Sequence, residues 1–366
     1  MHPHKVLMRA SGDSQLVFSE APMLVYWELT RACDLACKHC RAEAIAHRDP
    51  GELSTAEAKT LLGQLRSFGT PAPHLVMTGG DPLKRPDLFE LIEHAIHLGL
   101  KVSIAPSGTN NLTRDVIAHF KACGVQSMSL SLDGSTAEKH DAFRGVAGCF
   151  AWTLQAARYA HEEGLPLQIN TLVTADTAED LPHIYELLKG LGIMRWSLFF
   201  LVAVGRGRLL RELTPARCEA LHHWLYDLSK EAPFAVKTTE APHFRRVAFL
   251  RMRAEGLDVM SIRRTSFGMG FGIRDGNGIM FISHVGQVYP SGFLPLAAGN
   301  VRQRSPVEIY RNADLFISIR DIDRLKGKCG RCEFKAICGG SRARAYASTR
   351  DYLESDPLCP YQPRAS

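Results

Sequence analysis

Three cysteines near the start of the chain could hold a metal centre. Cys33, Cys37 and Cys40 follow one another with the spacing C-x3-C-x2-C. Three thiolates can bind three irons of a [4Fe–4S] cluster, which leaves the fourth iron open to a substrate or cofactor. The alternatives are a zinc site and a chance group of buried thiols. Zinc normally takes four ligands with paired C-x2-C spacing, so it would need a distant fourth ligand here.

A glycine-rich turn follows the triplet one strand–helix unit later. The segment Thr78-Gly79-Gly80-Asp81-Pro82 comes directly after the apolar run at residues 74–77. Glycines let the backbone approach a ligand closely, and carbonyl or carboxylate oxygens can accept hydrogen bonds from an ammonium group. Alone, this segment would be an ordinary turn. After the cysteine triplet, it indicates a ligand site.

The triplet and the turn together resemble the motifs of the radical SAM superfamily. The resemblance implies that S-adenosylmethionine (SAM) binds the open iron of a cluster held by Cys33, Cys37 and Cys40, which then form the catalytic centre. Two positions depart from the family pattern, since a histidine replaces a usually aromatic residue and an aspartate replaces a glutamate. The SAM contacts that the resemblance implies in these two motifs are His39, Gly79, Gly80, Asp81 and Pro82.

The fold class follows from an alternation of elements. Short β-rich runs alternate with amphipathic helical stretches between Pro22 and about Val204. This alternation predicts six β–α units around a parallel sheet, which is fewer than a closed eight-stranded barrel requires. The resemblance implies the partial (β/α)6 barrel of the family, within the α/β class.

A smaller domain is expected after the barrel. The glycine-rich stretch at residues 267–278 lacks the strand-to-helix context of a dinucleotide-binding loop. Two short β runs, at residues 279–283 and 287–289, then predict a hairpin. The expected organisation is an N-terminal extension at residues 1–21, a barrel at 22–235, a linking region in contact with substrate at 236–278 and an auxiliary domain of a β-hairpin and helices at 279–366.

Polar residues at the ends of the predicted strands are further candidates for the site. Ligands of β/α folds gather at the carboxyl ends of the strands. The resemblance implies SAM contacts there from Ser107, Ser131, Asp133 and Asn170. Arg144 matches a recurrent family segment and could pair with the SAM carboxylate. Capped polar groups of ordinary turns remain the alternative for each.

Four cysteines near the end of the chain form a second group. Cys329, Cys332, Cys338 and Cys359 have the spacing C-x2-C-x5-C-x20-C. Four thiolates saturate either a [4Fe–4S] cluster or a zinc ion, and the number of ligands does not separate the two. The segment resembles the shortened SPASM, or twitch, extension of radical SAM enzymes, with Ser291 where a cysteine is common. The resemblance implies one auxiliary [4Fe–4S] cluster.

Basic residues concentrate between the two cysteine groups. The net charge is +6, and residues 201–264 hold twelve Lys and Arg against seven acidic residues. Such a bias can attract an anionic ligand, although a solvated helix face is the commoner cause. The candidate contacts to substrate carboxylates are Arg206, Arg208, Arg245 and Arg246. His243 is a further candidate for the substrate site, as a group that protonates a product or ligates the iron of a bound substrate, although a surface position is expected for it.

Composition excludes several classes of protein. Hydrophobic residues make up 45% and charged residues 22% of the chain, as in ordinary soluble proteins. No apolar run is long enough to span a membrane, no secretory leader is visible, and no nucleic-acid-binding module is recognisable. Ten cysteines without a leader favour metal binding in a reducing compartment, so a cytoplasmic protein is expected. Cys123, Cys149 and Cys218 stand alone and are expected to be buried thiols.

The resemblance also implies a reaction. Reductive cleavage of SAM would give a 5′-deoxyadenosyl radical that takes hydrogen from a substrate, with a low-potential donor of flavodoxin or ferredoxin type. The C-terminal spacing is most similar to that of enzymes that trim tetrapyrrole side chains in haem pathways, so an anionic substrate is expected. The alternative substrate is a ribosomal peptide or peptide-derived cofactor. Outside enzymes, the alternatives are an iron–sulfur electron carrier, which needs no open iron, and a zinc-stabilised binding module.

Overall fold

One ten-stranded sheet is the framework of the molecule, which the computed structural model describes from residue 17 to residue 364. In chain order the strands are β1 (Leu24–Glu28), β2 (His74–Thr78), β3 (Val102–Ile104), β4 (Ser127–Ser131), β5 (Leu167–Val173), β6 (Arg195–Phe200), β7 (Ala235–Thr239), β8 (Ile279–Ile282), β9 (Gln287–Tyr289) and β10 (Gly299–Asn300). Their order in the sheet is β10-β9-β8-β1-β2-β3-β4-β5-β6-β7. The pairs from β8 to β7 are parallel, and the pairs β8–β9 and β9–β10 are antiparallel.

Helices connect the parallel strands and continue after them. Those found in the described residues are α1 (Thr55–Arg66), α2 (Leu88–His97), α3 (Arg114–Ala122), α4 (Ala137–Arg144), α5 (Cys149–Glu162), α6 (Leu181–Lys189), α7 (Pro215–Glu231), α8 (Phe244–Ala254), α9 (Val259–Arg263), α10 (Pro306–Asn312), α11 (Asp314–Arg320), α12 (Gly327–Arg331) and α13 (Arg342–Thr349). Across residues 17–364, no helix combines the length and the apolar character that crossing a bilayer requires.

The sheet confirms the predicted α/β class and adds two parallel strands to the six that were expected. β7 was not predicted, because Val236 is its one well-buried apolar residue and the strand shows no apolar run. β8 was expected in a separate hairpin domain, but it pairs with β1, with Leu24 opposite Ile279. One sheet therefore crosses the boundary expected at residue 279, and the division of the chain into domains stays a prediction. Within the described residues β7 and β8 do not pair, so the barrel is open between them.

Alternation along the strands gives the sheet two different faces. Met128 and Leu130 of β4 are buried in the main core with helix residues such as Ala156. Side chains alternate along a strand, and right-handed crossovers place the helices on one side. The opposite side, called the inner face below, is largely polar, although Val76, Leu172 and Phe199 also lie on it. It carries Tyr26, Ser129, Ser131, Gln168, Asn170, Arg195, Ser197, Lys237 and Thr239.

A buried ion pair joins the ends of β1 and β8. His284 Nδ1 lies 2.8 Å from Glu28 Oε1, and Arg41 Nη2 donates to Glu28 Oε2 at 2.9 Å. Burial alone would lower the pKa of His284, but the Glu28 and Asp49 carboxylates raise that pKa overall. Because Arg41 follows Cys40 directly, the pair also fixes one end of the cysteine loop.

We expect His284→Gln to destabilise the protein more at about pH 6 than at about pH 8. The pKa of His284 is higher in the folded protein than in the unfolded chain. Protonated His284 therefore adds stability at low pH, and this contribution is lost as the pH rises through the folded-state pKa. Urea unfolding of both proteins at the two pH values measures the difference. An equal loss at both values would contradict the assignment, and His97→Gln, at an exposed position, is the control.

Candidate functional site

The three N-terminal cysteines lie together in the loop after β1. Cys33, Cys37 and Cys40 share one small cluster with Leu35 and Trp152. Each sulfur receives a hydrogen-bond donor, which stabilises a thiolate. The donors are Leu35 N to Cys33 Sγ at 3.4 Å, Arg144 Nη1 to Cys37 Sγ at 3.5 Å and Ala44 N to Cys40 Sγ at 3.3 Å. Burial nevertheless raises the pKa of the Cys33 thiol, so its thiolate form would depend on a bound cation.

The two glycines of the turn after β2 allow this turn to lie against the cysteine loop. Gly80 N donates to Thr30 O at 2.8 Å, and Asp81 N donates to Ala32 O at 2.7 Å. A Cβ atom on Gly79 would lie 2.6 Å from Thr30 O, and one on Gly80 would lie 2.5 Å from Ala32 O. Glycine was expected here for approach to a ligand. In the structure the close approach is to the backbone that carries the cysteines.

Asp81 keeps an unused acceptor next to the cysteines. Its Oδ1 accepts from Leu83 N at 3.2 Å and from Ser107 N at 3.3 Å, whereas its buried Oδ2 has no partner. Burial raises the pKa of Asp81 to about 6. Ser107 Oγ donates to Gly80 O at 2.9 Å and lies 3.3 Å from Cys33 Sγ. The turn, the end of β3 and the cysteine loop therefore meet at one point.

Arg144 and Asp133 form a buried ion pair beside Cys37. Asp133 Oδ1 also accepts from Leu172 N at 2.6 Å. Burial would raise the pKa of Asp133, but Arg144 lowers it overall. Arg144 was expected to pair with the SAM carboxylate, whereas here its guanidinium faces Asp133 and the Cys37 sulfur.

A second arginine, Arg206, contacts the cysteine loop. Arg206 N donates to Cys40 O at 3.2 Å, and the Arg206 Nε and Nη2 atoms are buried without a partner. His39 stacks on Phe143 with ring centroids 5.1 Å apart, and burial together with Arg144 lowers the pKa of His39 to about 4. Arg208 is exposed on the same loop. Of the two loop arginines, Arg206 is the one that the structure brings to the cysteines.

The remaining SAM candidates occupy different places around the site. Ser131, at the end of β4, lies opposite Asn170, in the middle of β5, on the inner face. Asn170 Oδ1 accepts from Gln168 Nε2 at 2.7 Å. Pro82 is buried directly after Asp81.

The four C-terminal cysteines line one cavity. The cavity also contains Arg246 and Lys328 in its wall. Burial raises the pKa of Cys338 to about 12 and that of Cys359 to about 11. Close backbone packing shapes the wall, because Gly340 has a φ of +65° and a Cβ there would lie 3.2 Å from Cys329 Sγ. Four sulfurs around one cavity match a site with complete thiolate coordination.

The linking segment places its candidates in three different environments. Arg246 Nη2 pairs with Glu219 Oε2 at 2.5 Å, and its guanidinium lies over the Tyr361 ring. Arg245 donates to the Ile273 carbonyl. His243 is completely buried, so the expected surface position is wrong. The structure therefore uses Arg246 beside the C-terminal cysteines and leaves Arg245 with a single carbonyl partner.

Sequence reasoning missed two cations on the inner face. Lys237 of β7 makes no ion pair with any described residue, and burial together with Arg195 and Arg245 lowers its pKa to about 8. Arg195 of β6 donates to Gln168 Oε1 at 3.0 Å, and its buried Nε has no partner. The Lys237 side chain remains accessible to water. The alternation Ala235-Val236-Lys237 could have signalled this position, but only the sheet shows which cations share the inner face.

Of the three isolated cysteines, two match the sequence-based expectation. Cys149 and Cys218 are completely buried. Cys123 is partly exposed, so the expectation of a buried thiol is wrong there. It lies at the end of α3, where one side of the residue remains open to solvent.

Known proteins resemble this chain over nearly its full length. Residues 27–188 match the Radical SAM superfamily. The chain is 42% identical over 348 residues to an AdoMet-dependent heme synthase of Methanosarcina barkeri, covering 95% of this chain and 99% of the relative. It is 30% identical over 357 residues to an Fe-coproporphyrin III synthase of the same organism, covering 92% and 87%. Both relatives confirm the resemblance to haem-pathway enzymes that the cysteine spacing predicted.

Solved structures show the same fold. Streptococcus suis SuiB bound to S-adenosylmethionine superposes with a TM-score of 0.73 at 18% sequence identity, covering 93% of this chain and 78% of SuiB.

We expect Gly80→Ala to prevent iron binding by the N-terminal cysteines, because the new Cβ would clash with the Ala32 and Arg31 carbonyls at 2.5 and 2.6 Å. The measurement is iron and sulfide per chain after anaerobic reconstitution. A Cys329→Ser, Cys332→Ser background restricts the signal to the N-terminal site. Gly63→Ala is the matched control, since a Cβ at this position in α1 meets nothing within 4 Å. Normal iron content in the Gly80 variant would show that the close approach is dispensable.

Proposed function

The chain belongs to the radical SAM superfamily, and from that premise we propose that it removes hydrogen from a carboxylate-bearing side chain of a tetrapyrrole. Membership implies SAM, a [4Fe–4S] cluster with cysteine ligands and a reductant. When bound, SAM and the cluster supply a 5′-deoxyadenosyl radical that can take hydrogen from an unactivated carbon. The residues of this chain bind, orient and shield the reactants.

We assign the cluster to Cys33, Cys37 and Cys40. Each of their sulfurs already accepts a hydrogen bond, and a bound cation would offset the burial that raises the pKa of the Cys33 thiol. Arg144, held by Asp133, would support the Cys37 thiolate in this arrangement.

The groups beside these cysteines fit the amino-acid end of SAM. The unpartnered Asp81 Oδ2 is an acceptor for an ammonium group, and the unpartnered Arg206 nitrogens are donors for a carboxylate. Arg206 suits this role better than Arg144, whose guanidinium already has a carboxylate partner. Ser131 and Asn170 on the inner face are then available to the adenosine part. Buried polar atoms without partners are costly, so a bound ligand would stabilise the unpartnered atoms of Asp81 and Arg206.

We assign an auxiliary [4Fe–4S] cluster to the four C-terminal cysteines. Four protein thiolates leave no iron open, so this site suits electron transfer better than substrate binding. Arg246 and Lys328 in the cavity wall would stabilise the negative charge of thiolates and sulfides.

Unpaired cations on the inner face carry the substrate assignment. Arg195 is near enough for its charge to lower the pKa of Lys237. Neither cation has a carboxylate partner among the described residues. Arg245 adds a third positive charge, and burial lowers its pKa to about 10. Like charges placed close together are unfavourable unless an anion joins them. The propionate groups of a tetrapyrrole would supply such anions.

An acidic peptide is the second candidate substrate. It would also neutralise the inner-face cations, and the fold is shared with SuiB. The tetrapyrrole is favoured because the relatives at 42% and 30% identity are named for haem-pathway reactions.

The proposed function is tested by anaerobic incubation with SAM, dithionite and Fe-coproporphyrin III. We expect substrate-dependent formation of 5′-deoxyadenosine and a matching change in the mass of the tetrapyrrole. The tetramethyl ester of the same compound is the control, since it lacks the negative charges. A Cys33→Ala variant sets the background. Equal nucleoside formation with and without the tetrapyrrole, and no change in its mass, would reject this substrate class and turn the search to peptides.

We expect Lys237→Gln to weaken binding of Fe-coproporphyrin III by about 10- to 100-fold, because a charged hydrogen bond contributes about 1.5–3 kcal/mol. Substrate-independent cleavage of SAM should stay unchanged, since the charges that act on Lys237 are those of Arg195 and Arg245 and none belongs to the cysteine loop. Tetrapyrrole titration followed by absorbance measures the dissociation constant. Lys189→Gln, at an exposed position of α6, is the matched control. Unchanged affinity in the Lys237 variant would remove this lysine from the substrate site.

A further inference from the structure

Three potential metal ligands meet in the core behind the C-terminal cysteines. Cys218 and His222 lie one turn apart on α7, and His243 directly precedes α8. All three side chains are completely buried. A sulfur and two ring nitrogens, one from each residue, lie within 4.8 Å of one another. These residues belong to neither cysteine group described above.

Their separations match the spacing of ligands around one ion. Cys218 Sγ lies 3.2 Å from His243 Nε2 and 3.8 Å from His222 Nε2. Bond lengths of about 2.3 Å to sulfur and about 2.0–2.1 Å to nitrogen place tetrahedral ligands roughly 3.5 Å apart. The two observed distances lie on either side of this value. The rings of His222 and His243 are also close, with centroids 4.5 Å apart.

Hydrogen bonding within the group does not satisfy its buried atoms. The Nδ1 atoms of His222 and His243 are buried without a partner. If both imidazoles carry hydrogen on Nδ1, two buried donors are unpaired. If both carry it on Nε2, two acceptors are unpaired and the donors crowd around Cys218 Sγ. A metal ion bound by both Nε2 lone pairs and the sulfur would fix the hydrogen of each ring on Nδ1 and would remove the crowding of donors around Cys218 Sγ.

A carboxylate stands behind one of the histidines. Asp356 Oδ2 lies 3.9 Å from His243 Nδ1, on the side of the ring away from Cys218. Metal-bound histidines commonly direct their other ring nitrogen to a carboxylate. Asp356 N also donates to Cys329 Sγ at 3.4 Å. Asp356 therefore connects this group of three side chains to the C-terminal cysteine cavity.

The surrounding charges permit a buried divalent ion. Arg344 is a buried cation next to Asp356, and it lies 3.5 Å from Asp356 and 3.8 Å from Glu212. A Cys218 thiolate with these two carboxylates would balance the charges of a divalent ion and Arg344.

Two other groups of potential metal ligands do not combine complete burial with unpartnered ring nitrogens. In the group of His140, Asp141 and Cys149, Asp141 already accepts from Gly148 N at 2.6 Å and from Phe150 N at 2.7 Å. The group of Glu93, His119 and Cys123 is partly exposed. Only the Cys218 group, among the described residues, combines complete burial with unpartnered ring nitrogens.

We propose that Cys218, His222 and His243 bind one zinc ion, which joins α7 and α8 beside the C-terminal cysteine domain. One thiolate and two imidazoles suit zinc, and three protein ligands leave the fourth position to water. Binding replaces the thiol proton of Cys218, which is released to solvent. This ion is separate from both sets of iron–sulfur cysteines, and the proposal does not depend on the substrate.

The test is metal analysis of the full chain with its iron–sulfur clusters reconstituted. The protein is given zinc sulfate anaerobically, washed with EDTA and analysed for zinc, iron and sulfide. We expect about one zinc per chain in the wild type. The zinc content of the Cys218→Ser variant should be at least 10-fold lower than that of the wild type, with the iron and sulfide contents unchanged. Cys123→Ser, in the partly exposed group, is the control and should keep its zinc.

X-ray absorption at the zinc edge of the wild type makes the test independent of variant folding. One sulfur at about 2.3 Å and two nitrogens at about 2.0–2.1 Å are expected. Zinc with four sulfur neighbours would place the ion at Cys329–Cys359 and overturn the proposal. Absence of zinc from the wild type, or equal zinc in wild type and Cys218→Ser, would overturn it as well.

Discussion

The close approach of two backbone segments is the constraint on which the site depends. The Gly79–Gly80 turn donates two hydrogen bonds to carbonyls of the cysteine loop, at 2.8 and 2.7 Å. A loop after a strand is otherwise free to vary, and these bonds fix it against the end of β2. The cysteines, Asp81 and Ser107 are thereby held in one place. Such preorganisation reduces the entropy lost on binding.

The second requirement is an interior that is polar yet enclosed. Alternation along the strands sends apolar residues to the helices and polar residues to the inner face. The open side between β7 and β8 leaves room for a substrate to enter. Lys237 and Arg195 stand on two adjacent strands next to that opening. A barrel with an apolar interior would be more stable but could not accept a charged substrate.

The C-terminal segment is joined to the barrel by buried polar contacts as well as by apolar packing. Arg344 of α13 is completely buried and donates to Leu201 O at 2.9 Å and to Glu240 O at 2.8 Å. Removing one partner from such a network leaves other groups unsatisfied, which is strongly destabilising. The four C-terminal cysteines therefore keep a fixed position relative to the ends of β6 and β7.

Sequence by itself determined the chemistry of this protein, because ligand type and local spacing are properties of consecutive residues. The triplet at Cys33, the turn at Gly79 and the cysteines from Cys329 indicated two metal centres, and periodicity indicated the α/β fold. Only the tertiary structure decided which distant groups share a site. It paired Arg144 with Asp133, placed β8 beside β1, buried His243 and left Lys237 unpaired on the inner face. Pairing of charges and burial depend on contacts between residues far apart in the chain, and periodicity carries no information about these contacts.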